Sequence, residues 1–114
     1  MPSAPVLVGD ANDLQTALPL VSDLGVAPEV VDILDVDATL KHGTGPGIVV
    51  SLAISDGFDC FDVAQILTFN KFCGRYRIVP VGLPKPEILV SEARKQFPDL
   101  DIDLLSKTAL PQYS

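Results

Sequence analysis

A flavodoxin-like α/β fold, with a doubly wound five-stranded parallel sheet in the order 2-1-3-4-5, is what this sequence predicts. Two observations carry the prediction. Five short apolar runs of strand length recur along the 114 residues. Between them lie segments whose apolar residues repeat at helical spacing. Strands alternating with helices imply parallel pairing with right-handed crossovers. Five such units in about 100 residues suit the doubly wound order.

The first strand is read over Ala4 to Val8, bounded by Pro5 and Gly9. So short a continuous apolar run suits a sheet covered on both faces. Asn12 or Asp13 can cap the helix that follows. Leu14, Ala17, Leu18, Val21 and Leu24 fall on one face of it; Pro19 should kink it and Gly25 stop it. Val30 to Leu34 reads as the second strand and Asp37 to Lys41 as a short helix. The loop His42 to Gly47, HGTGPG, is a connector: a phosphate-binding loop needs Gly-Lys-Ser/Thr between a strand and the next helix, and this loop precedes a strand.

The chain is organised around Gly47 to Asp62, GIVVSLAISDGFDCFD. Ile48 to Ile54 is the predicted third strand, with Ser51 placed at its functional end. The turn SDGFD leads into a helix over Cys60 to Phe72, stopped by Gly74; Asp56 and Asp59 read as turn and cap residues or as metal ligands. Arg75 to Val81 is the fourth strand, and Pro80 makes its end irregular or an edge. Pro86 opens the next helix, whose buried face is Leu89, Val90, Ala93 and Phe97. Leu100 to Leu105 is the fifth strand. Residues 108–114 form a tail or the start of a linker, too short for another full helix.

Length and composition fit one domain over 1–114, large enough to bury about 65% of its unfolded surface. A hydrophobic content of 47% with 20% charged residues argues against disorder. No run reaches the roughly 18 apolar residues of a membrane helix, and the start MPSAPVLVGD lacks a basic segment ahead of its apolar run. The net charge of −7 disfavours nucleic acid and anionic membrane as partners. Lys71, Arg75 and Arg77 form one small basic cluster, either a solvated rim or a docking patch for an acidic surface. Cys60 and Cys73 lie thirteen residues apart on one predicted helix, about 20 Å and beyond disulfide reach. Two free thiols fit a reducing cytoplasm. The one histidine, His42, is too far along the chain to make either a catalytic thiol.

In the predicted topology the C-terminal ends of the first, third, fourth and fifth strands converge, bringing Asp10, Ser51, Val81 or Gly82, and Lys107 towards one crevice. At these positions the chain resembles the receiver domains of bacterial two-component response regulators, through VLVGDAND, IVVSLAISDGFDCFDVAQIL, RIVPVGLPKPEILVSEA and IDLLSK. The resemblance covers nearly the whole chain. It implies an acidic pair after the first strand for magnesium, a phosphorylated aspartate ending the third, a Ser or Thr ending the fourth and a lysine ending the fifth. Asp10 matches the first acid, but Ala11 stands in place of the second. Ser51 stands where the phosphoacceptor belongs, Val81 at the hydroxyl position, and Lys107 at the lysine, followed by Thr108 instead of proline. The pocket is therefore degenerate. Acyl phosphate chemistry needs a carboxylate and a divalent ion, so no metal and no cofactor is expected. Lys107 can pair with Asp10 or hold an anion.

The expected function is a non-catalytic signalling module, not an enzyme. It would be cytoplasmic, act by protein–protein interaction with a signalling protein or output domain, and be independent of phosphorylation. Receivers close with a fifth helix over one sheet face. The sequence ends before one can form, so that face is expected to be covered by a second copy in a homodimer or by further chain. The alternatives are a switch phosphorylated on the Ser51 hydroxyl and a small anion- or nucleotide-binding domain. The latter lacks a glycine fingerprint, since GDAND is not GxGxxG.

Overall fold

A computed structural model describes residues 5–10, 12–13, 15–17, 29–42, 47–55, 57–80 and 85–105. Its central strand is β3 (Ile48–Leu52), paired in parallel with β1 (Val6–Val8) on one side and β6 (Arg75–Val79) on the other. Beyond them lie β2 (Glu29–Val31) against β1 and β7 (Asp101–Leu104) against β6, both parallel. The sheet order is β2-β1-β3-β6-β7. Because β4 (Ile54–Ser55) and β5 (Phe58–Asp59) form a separate hairpin, this is the 2-1-3-4-5 order that the alternation of elements predicts.

Several boundaries fall earlier than expected, each for a local reason. The second strand ends at Val31, not Leu34. Asp32 accepts a hydrogen bond from the Leu34 amide at 2.9 Å and starts a 3-10 turn, Ile33–Asp35, which leads into α1 (Val36–His42). The third strand ends at Leu52, not Ile54. The chain bends at Ala53, and β4 (Ile54–Ser55) pairs antiparallel with β5 (Phe58–Asp59). The expected SDGFD turn is thus a short hairpin. The next helix, α2 (Cys60–Phe69), stops ahead of Phe72, where Lys71 takes a left-handed conformation, φ 56°. The fourth strand ends at Val79, ahead of Pro80, which has no amide to donate. Pro86 opens α3 (Pro86–Gln96) as expected. Residues 12–13 and 15–17 are helical, while the proposed kink at Pro19 and stop at Gly25 lie outside the described residues.

Alternation along the strands sorts the core into two sides. Val6, Val8, Val49, Tyr76, Ile78 and Ile102 pack with Val63, Ala64 and Leu67 of α2 and Val90 and Ala93 of α3. Full burial contributes roughly 1.5–3 kcal/mol for each large side chain, so α2 is held mainly by Val63 and Leu67. Leu7, Val50, Leu52 and Val79 pack with Ala17 on the opposite side. Farther across that side, β6 and β7 alternate apolar with charged residues. Arg75, Asp101 and Asp103 are exposed and Arg77 is half-buried. Arg77 donates to the Asp101 carbonyl at 2.9 Å and meets its carboxylate at 3.3 Å. The face expected to be bare and apolar is therefore charged along β6 and β7. The edge strand β7 is further guarded by Arg94, whose Nε donates to the Ile102 carbonyl at 2.9 Å.

Candidate functional site

The crevice at the C-terminal ends of β1 and β3 is built from three side chains. Asp10 leaves β1 and accepts a hydrogen bond from the Asp13 amide at 3.0 Å, so Asp10 itself caps the first helical turn. The sequence pointed to Asn12 or Asp13 for that role. Asp13, only 8% exposed, accepts a hydrogen bond from the Ser55 hydroxyl on β4. Gly9 makes this possible: its φ is 153°, and a Cβ there would come within 2.7 Å of the Asp13 Cβ. Asp13 and Ser55 tie the hairpin to the first helix. No group of three or more His, Cys, Asp or Glu side chains is placed to hold a metal among the described residues.

Ser51 is elsewhere. It pairs in register with Val8, two residues ahead of Asp10. At about 3.3 Å per residue this sets it some 7 Å below the level of Asp10. Its side chain lies with those of Val49 and Ala53 on the α2 side of the sheet and is fully buried. The Ser51 hydroxyl is 2.6 Å from the Tyr76 hydroxyl and also donates to the Leu52 carbonyl at 3.1 Å. Tyr76 in turn reaches the Cys60 carbonyl at 3.3 Å. Each hydroxyl has one proton and at least one acceptor in reach, so the pair is satisfied without water. Burial keeps the Tyr76 phenol neutral far above its usual range.

The crevice expected from sequence is thus only partly assembled. Asp10 is there, exposed. Ser51 is turned into the core. Ala11, Val81 and Lys107 lie outside the described residues. The pairing of Asp13 with Ser55 has no local signature: by sequence Asp13 reads as a helix cap and Ser55 as the first residue of the SDGFD turn. The SDG sequence at 55–57 is the one local sign of the reversal.

The two thiols sit in different surroundings. Cys60 and Cys73 are both free, Cys60 buried and Cys73 exposed. Burial and the neighbouring Asp59 charge push the Cys60 thiol up to about 11, away from nucleophilic thiolate. The Asp59 and Asp62 side chains are occupied by a reciprocal cap of α2. Asp59 accepts from the Phe61 and Asp62 amides at 3.0 and 3.2 Å, and Asp62 accepts from the Asp59 amide at 3.0 Å.

No protein-family model matches the chain, and no curated protein matches it.

Proposed function

We propose that the chain is a non-catalytic signalling module on a receiver-like scaffold, acting by protein–protein interaction without phosphorylation. The observation that carries this reading is the state of Ser51. By the resemblance it stands where the phosphoacceptor belongs, yet its hydroxyl is buried and engaged by Tyr76 and Leu52. No residue of β3 is a carboxylate, and Ala53, just beyond, is buried as well. Acyl phosphate formation has no nucleophile on this strand. The same burial counts against a switch phosphorylated on Ser51, because a phosphoryl donor would have to enter a packed core.

The partner in this reading is another signalling protein or an output domain, met in the cytoplasm. Self-association is the second mode; Leu7, Val50, Leu52 and Val79 are already buried within the one chain, so it would use other surfaces. No described helix is long and apolar enough to cross a membrane. The net charge of −7 opposes binding to nucleic acid or an anionic bilayer.

Incubation with acetyl phosphate and magnesium, followed by intact mass, tests the proposal. The expected result is an unchanged mass and no amide shifts with beryllofluoride. A stoichiometric gain of one phosphoryl group would sink it.

A further inference from the structure

One surface feature is left unexplained by the core. The apolar surface of helix α2 extends beyond its buried face. Val63, Ala64 and Leu67 are buried against the sheet; Ile66, half-buried, packs at the edge of that core, and Phe69, nearly one turn on, stands exposed. Surface helices of soluble proteins carry one apolar stripe and a polar opposite face. Phe69 is 75% exposed, and Leu34, on the 3-10 turn before α1, is 87% exposed. These residues are not scattered. With Ile33, Phe58 and Ile66 they line a groove of about 610 Å³ between that turn, α1 and α2. Ile33, Phe58 and Ile66 are half-buried and form its floor; Leu34 and Phe69 stand up at its sides.

The described charged residues around this groove have one sign. Asp37 and Asp62 line it beside the neutral Gln65, and among the described residues no lysine or arginine does. Asp32 and Asp35 flank Ile33 and Leu34, and Asp59 follows Phe58. The nearest cation along α1, Lys41, is paired with Asp37 at 3.1 Å. Asn70 donates to the same carboxylate at 2.9 Å and ties α2 to α1 at that point.

We propose that this groove binds a basic amphipathic helix from a partner protein. The proposal rests on the interaction-module reading and names the surface and partner chemistry for it. Apolar side chains at i, i+3, i+4 and i+7 of the incoming helix fill the groove between Leu34 and Phe69, and lysines or arginines flanking them meet Asp37, Asp62 and the acids beside them. A second copy of this chain would bring the same acidic rim against itself, at a net charge of −7 per molecule. Anionic bilayers and nucleic acids are repelled by the same acids.

The probe is a fluorescein-labelled Leu/Lys peptide of about five helical turns with leucines on one face. Its control is a permuted peptide of identical composition with no apolar face. Anisotropy titrations use the full chain and its Leu34→Asp and Phe69→Asp variants. Both positions are exposed, and urea midpoints confirm that each variant is folded. Expected are saturable binding, amide shifts centred on Ile33, Leu34, Ile66 and Phe69, and affinity reduced about tenfold or more in either variant and with the permuted peptide. Raising salt should weaken binding further. Equal binding of the permuted peptide, shifts centred elsewhere, or unchanged affinity in both variants would overturn the proposal. So would a dimer of the wild-type chain that Phe69→Asp dissociates, which would assign the groove to a second copy. A phosphoryl mass gain in the same preparation would instead overturn the non-catalytic reading and leave the peptide result standing.

Discussion

The Ser51 and Tyr76 hydroxyls lie 2.6 Å apart on adjacent parallel strands, both fully buried, with the Leu52 and Cys60 carbonyls as their remaining partners. The two side chains come from the strands that form the centre of the sheet, and they supply the polar contact in an otherwise apolar layer beneath α2. Polar groups so placed contribute most by being mutually satisfied, and removing one leaves the other with its carbonyl partner alone.

Either truncation therefore destabilises, and the two do not add. Ser51→Ala and Tyr76→Phe are each expected to lower unfolding free energy by about 1–2 kcal/mol, since each survivor keeps a carbonyl partner. The double variant should fall short of the sum by roughly 0.5–1 kcal/mol. Urea denaturation of the four proteins measures this, and strict additivity would show that the hydroxyls do not interact.

Restoring a carboxylate on β3 does not restore a receiver site. Ser51→Asp places a charge beside Tyr76 in the core and is expected to destabilise by roughly 3 kcal/mol or more near neutral pH. Burial raises the folded pKa of such an aspartate above its unfolded value. Its protonated form is then the better tolerated one, so the deficit should shrink as pH falls through the folded pKa and grow as pH rises through it. Urea midpoints across acidic and neutral pH check the sign, and intact mass after acetyl phosphate is expected to stay unchanged.

The misplacement of Ser51 and the correct strand order have different physical origins. Order follows from alternation of strand and helix, a signal spread over many residues and insensitive to a shift of two. Depth within a strand depends on where β3 stops, and its apolar run continues through Leu52, Ala53 and Ile54 without a break. The bend at Ala53 and the β4–β5 hairpin are set by pairing between Ile54 and Asp59 and between Ser55 and Phe58, which a strand-length argument does not see. The charged outer face runs against the bare apolar one expected by analogy with a missing last helix: in RYRIV and DIDL period-two alternation puts Arg75, Arg77, Asp101 and Asp103 on one side. The groove beside α2 was not legible, because Leu34 belongs to a segment that reads equally well as strand.

The reciprocal cap at the start of α2 should be measurable by itself. Asp59→Ala frees the Phe61 and Asp62 amides and is expected to cost about 1 kcal/mol, within a range of roughly 0.5–2. Asp59→Asn should retain most of this, since an amide oxygen also caps. Urea unfolding of both variants tests it; equal losses would mean that the carboxylate charge near the helix start matters more than the hydrogen bonds.

The two thiols should separate cleanly. Cys73 is exposed and Cys60 is buried, with its thiol pushed up to about 11. A raised folded pKa means that protonated Cys60 favours the fold. That contribution is intact below the ordinary thiol range and lost as pH rises through the folded value. Labelling with a thiol-specific chromophore at mildly alkaline pH should modify Cys73 rapidly and Cys60 only on unfolding in denaturant. Fast modification of both would contradict the packing of α2 on the sheet.

Asp37 provides the pH handle on the α1–α2 contact. The hydrogen bond from Asn70, and after it the one from Lys41, lower its pKa below the ordinary aspartate value. A depressed folded pKa gives stability that is present above the unfolded value and lost as pH falls through the folded one. Carboxyl NMR titration should place Asp37 below ordinary aspartates. Asn70→Ala should move it back towards them further than Lys41→Ala does, because the amide donates at 2.9 Å while the ammonium lies at 3.1 Å in a pair about half exposed at both ends. If Lys41→Ala has the larger effect, charge rather than the Asn70 bridge governs Asp37, and the contact that shapes one end of the groove is weaker than its geometry implies.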